Sequence, residues 1–318
     1  MSRPLRIEYP GALYHVMNRG GEARKTFFDK SDYQLFLDLL QEAFDRWEAE
    51  ILAYCLLPNH YHVCLRTPLG NLSRIMRHVD GLYTQRFNRA HHRDGTLFRG
   101  RYKAILVDGD SYLTSVVRYI HLNPVVAGLS KTPQAYRWSS HSAYLKKKAP
   151  IWLSTKPVLG YFPHRESFHR FVLSGNEPNM ERFYRMGRQA PVLGSETFLE
   201  GLKRKMPGMG KEHPRYERKT FRPSFDQVIR AVSGEYEKPA NEIMSGRRGQ
   251  GNEARKVAMF LVSRMCELTL QQAAGKFNVS SYGVVGWNCH GVLARMNSER
   301  KFKKRIEGLK ERIIQQKI

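Results

Sequence analysis

The sequence predicts an α+β domain, then a basic connecting stretch, then an all-helical domain. Three observations predict this. Up to about residue 145, short apolar runs with strand patterning alternate with stretches of helical periodicity. From Phe225 onward the apolar residues recur only at helical spacing. Between them lie a Lys146-Lys147-Lys148 run and several prolines.

Residues 12–18, ALYHVMN, read as a strand ended by Arg19-Gly20-Gly21. Ser31 then opens a helix to about Glu50, with Phe36, Leu37, Leu40, Phe44 and Trp47 on its inner face. Residues 51–57, ILAYCLL, form a short apolar strand; Pro58-Asn59 turn the chain, and residues 60–66, HYHVCLR, run back. Asn71 is placed to cap a helix through about Asn88. Residues 97–107, LFRGRYKAILV, read as a strand. A third helix, capped by Asp110 or Ser111, should stop near Pro124. The order β-α-β-β-α-β-α suggests a ferredoxin-like antiparallel sheet with helices on one face. The domains expected are 1–145, a basic extension and linker over 146–224, and a helical domain over 225–318. In the last, Asn252 and Thr269 cap successive helices, and a turn at Asn278-Val279-Ser280 leads into a further one. That is the outline of a helix-turn-helix.

The formal net charge is +24, from 53 Lys and Arg against 29 Asp and Glu. Such an excess favours a polyanionic partner, nucleic acid ahead of a membrane surface. The middle stretch is the shortest of the three and the most basic, a candidate strap along a phosphate backbone. Cys55, Cys64, Cys266 and Cys289 form no C-x-x-C pair, so neither a zinc knuckle nor a redox couple is expected. No apolar run approaches the roughly 20 residues that span a bilayer, and no secretory signal is visible. A cytoplasmic, nucleoid-associated protein, monomer or homodimer, is expected.

His60 and His62 are two apart in a strand, so both point to one face and Tyr61 to the other. Two adjacent imidazoles can hold one divalent metal. Twelve histidines in this length give about half of one such pair by chance, so the pair needs support. Support comes from VVRYIHLNPVVAGL, where Tyr119 and Asn123 lie four apart, on one face of a helix. One offers a hydroxyl, the other a neutral oxygen ligand. Pro124 pushes Asn123 towards a frayed helix end.

YCLLPNHYHV (54–63) followed by RYIHLNPVVAGL (118–129) resembles the single-tyrosine HUH transposases, and more narrowly the branch associated with repetitive extragenic palindromes (REP). PGALYHVMNRG (10–20), GTLFRGRYKAILVD (95–108), YRWSSHSAY (136–144) and LGSETF (193–198) also match, so the likeness covers about 1–200. The resemblance implies an HUH catalytic domain with His60, His62 and Asn123 as metal ligands and Tyr119 as nucleophile. Val126 stands where that family commonly has arginine. EARKVAMFLVSRMCELTLQQAAGKFNVSSYGVV (253–285) is similar, more loosely, to the DNA-binding domain of the chromosomal replication initiator.

The expected activity is cleavage and rejoining of single-stranded DNA beside a hairpin through a 5′-phosphotyrosine, with Mg²⁺ or Mn²⁺. Imidazole and amide ligands suit Mn²⁺ better than Mg²⁺. Arg99, Arg101 and Lys103 are expected on one face of a strand, tracking the DNA backbone; Arg19 and Arg24 are further contacts. Ser281 and Tyr282, at the start of the last predicted helix, are expected to meet duplex DNA. The competing readings are a non-cleaving, sequence-specific regulator derived from a transposase and an RNA-binding sheet. The second needs aromatics where the sheet carries histidines.

Overall fold

The computed structural model describes residues 7–185, 192–205, 223–246, 252–266 and 268–315. The chain forms two units, residues 1–218 and 219–318.

The first unit opens with β1 (Ala12–Arg19), α1 (Lys30–Trp47), β2 (Glu50–Leu57), β3 (His60–Thr67), α2 (Leu72–Ala90), β4 (Lys103–Val107) and α3 (Gly109–Val126). The strands lie in the order β2-β3-β1-β4, all antiparallel. A fifth, β5 (Val192–Leu193), adds parallel to β4. α1 starts at a capping box in which Asp29 and Asp32 satisfy each other's backbone N–H groups. Asn71 does sit at the start of α2, but its amide donates to the Trp47 carbonyl at 2.9 Å instead of capping its own helix.

Helices cover both faces of the sheet, not one. Tyr14, Val16, Tyr61, Val63 and Leu65 pack against α1 and α2 through Phe36, Leu40, Ile75, Val79 and Tyr83. The opposite face, with Leu13, Cys55, Leu57, Cys64 and Ile105, packs against Leu113, Val116, Val117 and Ile120 of α3. The physical reason stands in β2: a strand covered on both sides reads as a continuous apolar run, as residues 51–57 do.

The 97–107 segment is a strand only from Lys103. Before it, a single bridge pairs Phe98 with Gly20, and Arg99 N–H reaches the Arg19 carbonyl at 2.8 Å. Arg99 and Arg101 therefore do not share a strand face with Lys103. Tyr102 is buried.

Asp108, not Asp110 or Ser111, stands at the N-cap position of α3 and makes no side-chain cap bond there, and the helix runs through Pro124 to Val126. A proline so near the end removes one intrahelical bond only, because the chain turns off directly afterwards. Leu129 N–H reaches the Pro124 carbonyl at 2.9 Å, and Gly128 takes the left-handed φ of +69° that this ending needs.

Much of the basic extension that precedes the linker is packed structure. Residues 136–154 run along the outer edge of β2 and satisfy its backbone. Ser140 N–H donates to Tyr54 O at 2.9 Å, Tyr136 Oη to Leu56 O at 2.8 Å, Tyr144 Oη to Leu52 O at 2.6 Å, and Ser154 N–H to Ile51 O at 2.8 Å. An uncovered edge would be a site for aggregation. α4 (His141–Leu145), α5 (Lys156–Leu159), α6 (Arg165–Leu173) and α7 (Pro178–Arg185) follow, then β5 and α8 (Glu196–Lys205). Ser195 donates its hydroxyl to the Asp108 carboxylate at 2.7 Å, which ties this return strand to the start of α3. The linker expected around 206–224 lies outside the described residues except for Pro223 and Ser224.

The second unit holds α9 (Phe225–Tyr236), α10 (Ala240–Met244), α11 (Glu253–Met265), α12 (Leu270–Lys276), α13 (Tyr282–Ser298) and α14 (Arg300–Gln315). Ser224 and Thr269 head capping boxes, and Asn252 accepts from Arg255 N–H. α11 is the central element, with Val257, Ala258, Phe260 and Leu261 fully buried. A short turn joins α12 to α13, with Asn278 at a left-handed φ of +50°. No described helix is long and apolar enough to cross a membrane.

Candidate active site

β3 carries His60 and His62 on the sheet face that α3 covers. Register brings others to the same side. Met17 lies opposite His62 and His15 opposite Cys64, so His15 is a diagonal neighbour of His62. α3 crosses this face and presents Tyr119, half-buried. The Tyr119 ring lies 5.8 Å from the His62 ring and 5.9 Å from the His15 ring, edge-on to both. The His60 and His62 rings are 5.1 Å apart. Asn123, one turn on, sits inside the helix rather than at a frayed end, and its amide donates to the Tyr119 carbonyl at 2.9 Å.

Both histidines of the pair are held through Nδ1. His60 Nδ1 meets Asn59 Oδ1 at 2.6 Å, and His62 Nδ1 meets His15 Nε2 at 2.9 Å. His60 donates through Nδ1 to an amide oxygen, which leaves its Nε2 with the lone pair; His62 offers Nε2 in the tautomer whose Nδ1 proton goes to His15. Burial, with Arg19 adding to it, pushes His60 down to about 4. Burial, then the neighbouring His15 and His60, holds His62 well below the usual imidazole range. Both are neutral at pH 7, the form that binds a metal. If the Asn123 amide oxygen joined the two imidazoles, the set would be two neutral nitrogens and one neutral oxygen, which would suit a borderline divalent ion such as Mn²⁺ better than a cation that prefers oxygen alone. Burial raises the Tyr119 phenol above its ordinary value, against a lowering contribution from Asn123 and with a further rise from Glu181.

Two residues of this cluster carry no signal in the sequence reading. His15 is fully buried, and burial, then Lys103, pushes it down to about 3. Its Nδ1 meets the Tyr184 hydroxyl at 2.5 Å. Tyr184, from α7, stacks on Tyr119 with ring centroids 3.8 Å apart and planes 16° from parallel. The strand register could point to His15. Nothing local marks Tyr184.

The five predicted basic contacts, Arg19, Arg24, Arg99, Arg101 and Lys103, are all exposed. Arg24 and Arg99 come together in a cleft of about 290 Å³ that also takes in Lys25, Arg93, Thr96 and Phe98. Arg19, Arg101 and Lys103 do not line it. In the second unit, Ser281 and Tyr282 are exposed at the start of α13, and so is Trp287 on its second turn.

Residues 9–123 match the family described as Transposase IS200 like. Among solved structures, the chain is similar to a REP-associated tyrosine transposase bound to a REP hairpin, at 20% identity and a TM-score of 0.41, over 48% of this chain and 92% of that one. It is also similar to a candidate transposase from Deinococcus radiodurans R1, at 17% identity and a TM-score of 0.28, over 41% of this chain and 98% of that one. No curated protein matches.

Proposed function

We propose, from the premise that residues 9–123 are those of an IS200-like transposase, that this chain is a single-tyrosine HUH transposase. It cuts and rejoins single-stranded DNA beside a REP-type hairpin, on a ferredoxin-like catalytic domain. The observation that carries the reading is the Tyr119 ring 5.8 Å from His62, on the one sheet face that also bears His60.

His60, His62 and Asn123 would hold a divalent ion, which when bound polarises the scissile phosphate and stabilises the leaving oxygen. The chain's own part is positional. Tyr119 Oη attacks phosphorus, forms the P–O bond of a 5′-phosphotyrosine, loses its proton, and frees a 3′-hydroxyl. Because its phenol is raised, Tyr119 starts protonated at neutral pH and depends on that polarised phosphate. The phosphotyrosine is an ester of about the same energy as the bond it replaced, so a 3′-hydroxyl attacking it reverses the step without a nucleotide cofactor.

The exposed arginines suit a phosphate backbone, and Arg24 and Arg99 share one cleft with Lys25 and Arg93. The α12–turn–α13 arrangement supports a helix-turn-helix that docks on duplex DNA through Ser281 and Tyr282. The test is incubation of the full chain with hairpin DNA and Mn²⁺, followed by denaturing electrophoresis. A covalent protein–DNA adduct is expected, and it disappears in Tyr119→Phe and on chelation of the metal. DNA binding without any adduct under these conditions would instead favour a non-cleaving regulator.

A further inference from the structure

His15, buried, and Tyr184, half-buried, are polar groups that the chemistry above leaves unused. They connect its two halves. His15 Nε2 meets His62 Nδ1 at 2.9 Å, and His15 Nδ1 meets Tyr184 Oη at 2.5 Å. The Tyr184 ring then lies against the Tyr119 ring at 3.8 Å. One continuous path runs from a ligand histidine, through a buried histidine and a phenol, to the nucleophile's ring.

We propose that His15 and Tyr184 are positioning residues, His15 fixing the orientation and tautomer of His62 towards the metal and Tyr184 locking His15 and the Tyr119 ring together. The inference rests on the HUH transposase reading.

The proton arrangement is forced by one choice. A neutral imidazole has one N–H and one lone pair. When His62 offers Nε2 to a cation, its proton stands on Nδ1 and is donated to His15 Nε2. His15 then carries its own proton on Nδ1 and donates it to the Tyr184 oxygen. Ligand histidines are commonly held through their second nitrogen by such a partner. Here the partner is itself held by a group that touches the nucleophile, so metal seat and phenol are set by one packed chain. It also explains why α7, far along the sequence, belongs to the site. α7 delivers Tyr184 to the open side of α3, against His15 and Tyr119.

The experiment uses the full chain with Mn²⁺ alone as the first probe, its bound fraction read by electron paramagnetic resonance. Hairpin DNA cleavage is then followed over a range of Mn²⁺ concentrations. Removing an outer partner of a ligand histidine typically costs about 10–100-fold in metal affinity. His15→Leu should weaken Mn²⁺ binding by that order. His15→Gln, whose amide oxygen can accept from His62, should recover part of it. Tyr184→Phe keeps the stack and loses the hydroxyl. It should weaken Mn²⁺ binding less, and add nothing in the His15→Leu background, because the two act in series. Tyr184→Leu, which also removes the stack, should slow cleavage at saturating Mn²⁺.

Near-ultraviolet circular dichroism reports whether each variant is folded. Should His15→Leu not fold, His15→Gln and Tyr184→Phe decide. Folded variants that bind Mn²⁺ as the parent does overturn the proposal. So does faster cleavage in Tyr184→Leu, which would make Tyr184 an obstruction. Failure of the HUH reading looks different: the parent chain itself then binds no Mn²⁺ or forms no adduct.

Discussion

His141 lies fully buried between two other imidazoles. Its Nδ1 is 3.1 Å from His121 Nδ1 and its Nε2 is 3.0 Å from His169 Nδ1, while His121 Nε2 meets Ser140 Oγ at 2.8 Å. With Phe168 packed against it, the middle ring lies away from water, which disfavours its charged form. Burial, then His169, pushes His141 down to about 4. Burial, then His141, holds His121 well below the ordinary imidazole range. The unfolded chain therefore binds more protons than the folded one once the pH falls below the normal imidazole value. The contribution is intact above about pH 6.5 and is lost as pH falls towards 4, at up to about 1.4 kcal/mol per pH unit for each such group. Denaturant unfolding at pH 7, 6 and 5 should show the first unit losing stability with acid. In His141→Gln the starting stability is lower, but its pH slope should be shallower. An unchanged slope would mean that His141 takes up its proton in the folded state without penalty.

Elements were legible in proportion to how local their cause is. The capping box at Thr269 and Gln272 is visible in the sequence as Thr269-Leu270-Gln271-Gln272 and stands in the structure with both bonds made. The pair His60 and His62 needed only strand alternation. What pairing decides was not legible. His15 joins the site because β1 runs antiparallel to β3 in one register, and a shift by one residue would turn it to the other face. The cover that α3 gives to the second sheet face is not legible, because apolar content alone does not say which helices cover which side of a sheet. Tyr184 depends on tertiary packing of a stretch whose prolines and lysines look like linker. The local elements carry a local prediction: Thr269→Ala removes the acceptor for Gln272 N–H and should cost the second unit about 1 kcal/mol. For a unit of this size that is a fall in melting temperature of about 4–8 °C. Calorimetry should find the transition of the first unit unmoved. A shift of both transitions would mean that the two units unfold as one.

At the scale of the whole molecule the deciding quantity is charge and how it is divided. The chain carries a formal +24, and the last 94 residues, 225–318, hold 17 of the 53 Lys and Arg against 9 of the 29 acids. Each phosphate neutralised releases condensed counterion, so binding weakens with salt at a logarithmic slope of about 0.7 per contact on single strands and about 0.9 on duplex. If the first unit handles the single-stranded cut site and the second docks on duplex, the two parts of the slope belong to different substrates. Fluorescence anisotropy from low to moderate salt should give the full chain a steep slope on a hairpin with a long duplex arm. A chain ending at residue 218 should lose a large share of both slope and affinity on that substrate, yet keep its affinity for a short hairpin. It should also still form the Tyr119 adduct, because His15, His60, His62, Asn123 and Tyr184 all lie within the first unit. Equal losses on both substrates would show that the second unit reads the cut site itself. No loss on either would remove the duplex-docking role from α12 and α13 and leave their exposed Tyr282 and Trp287 to some other partner.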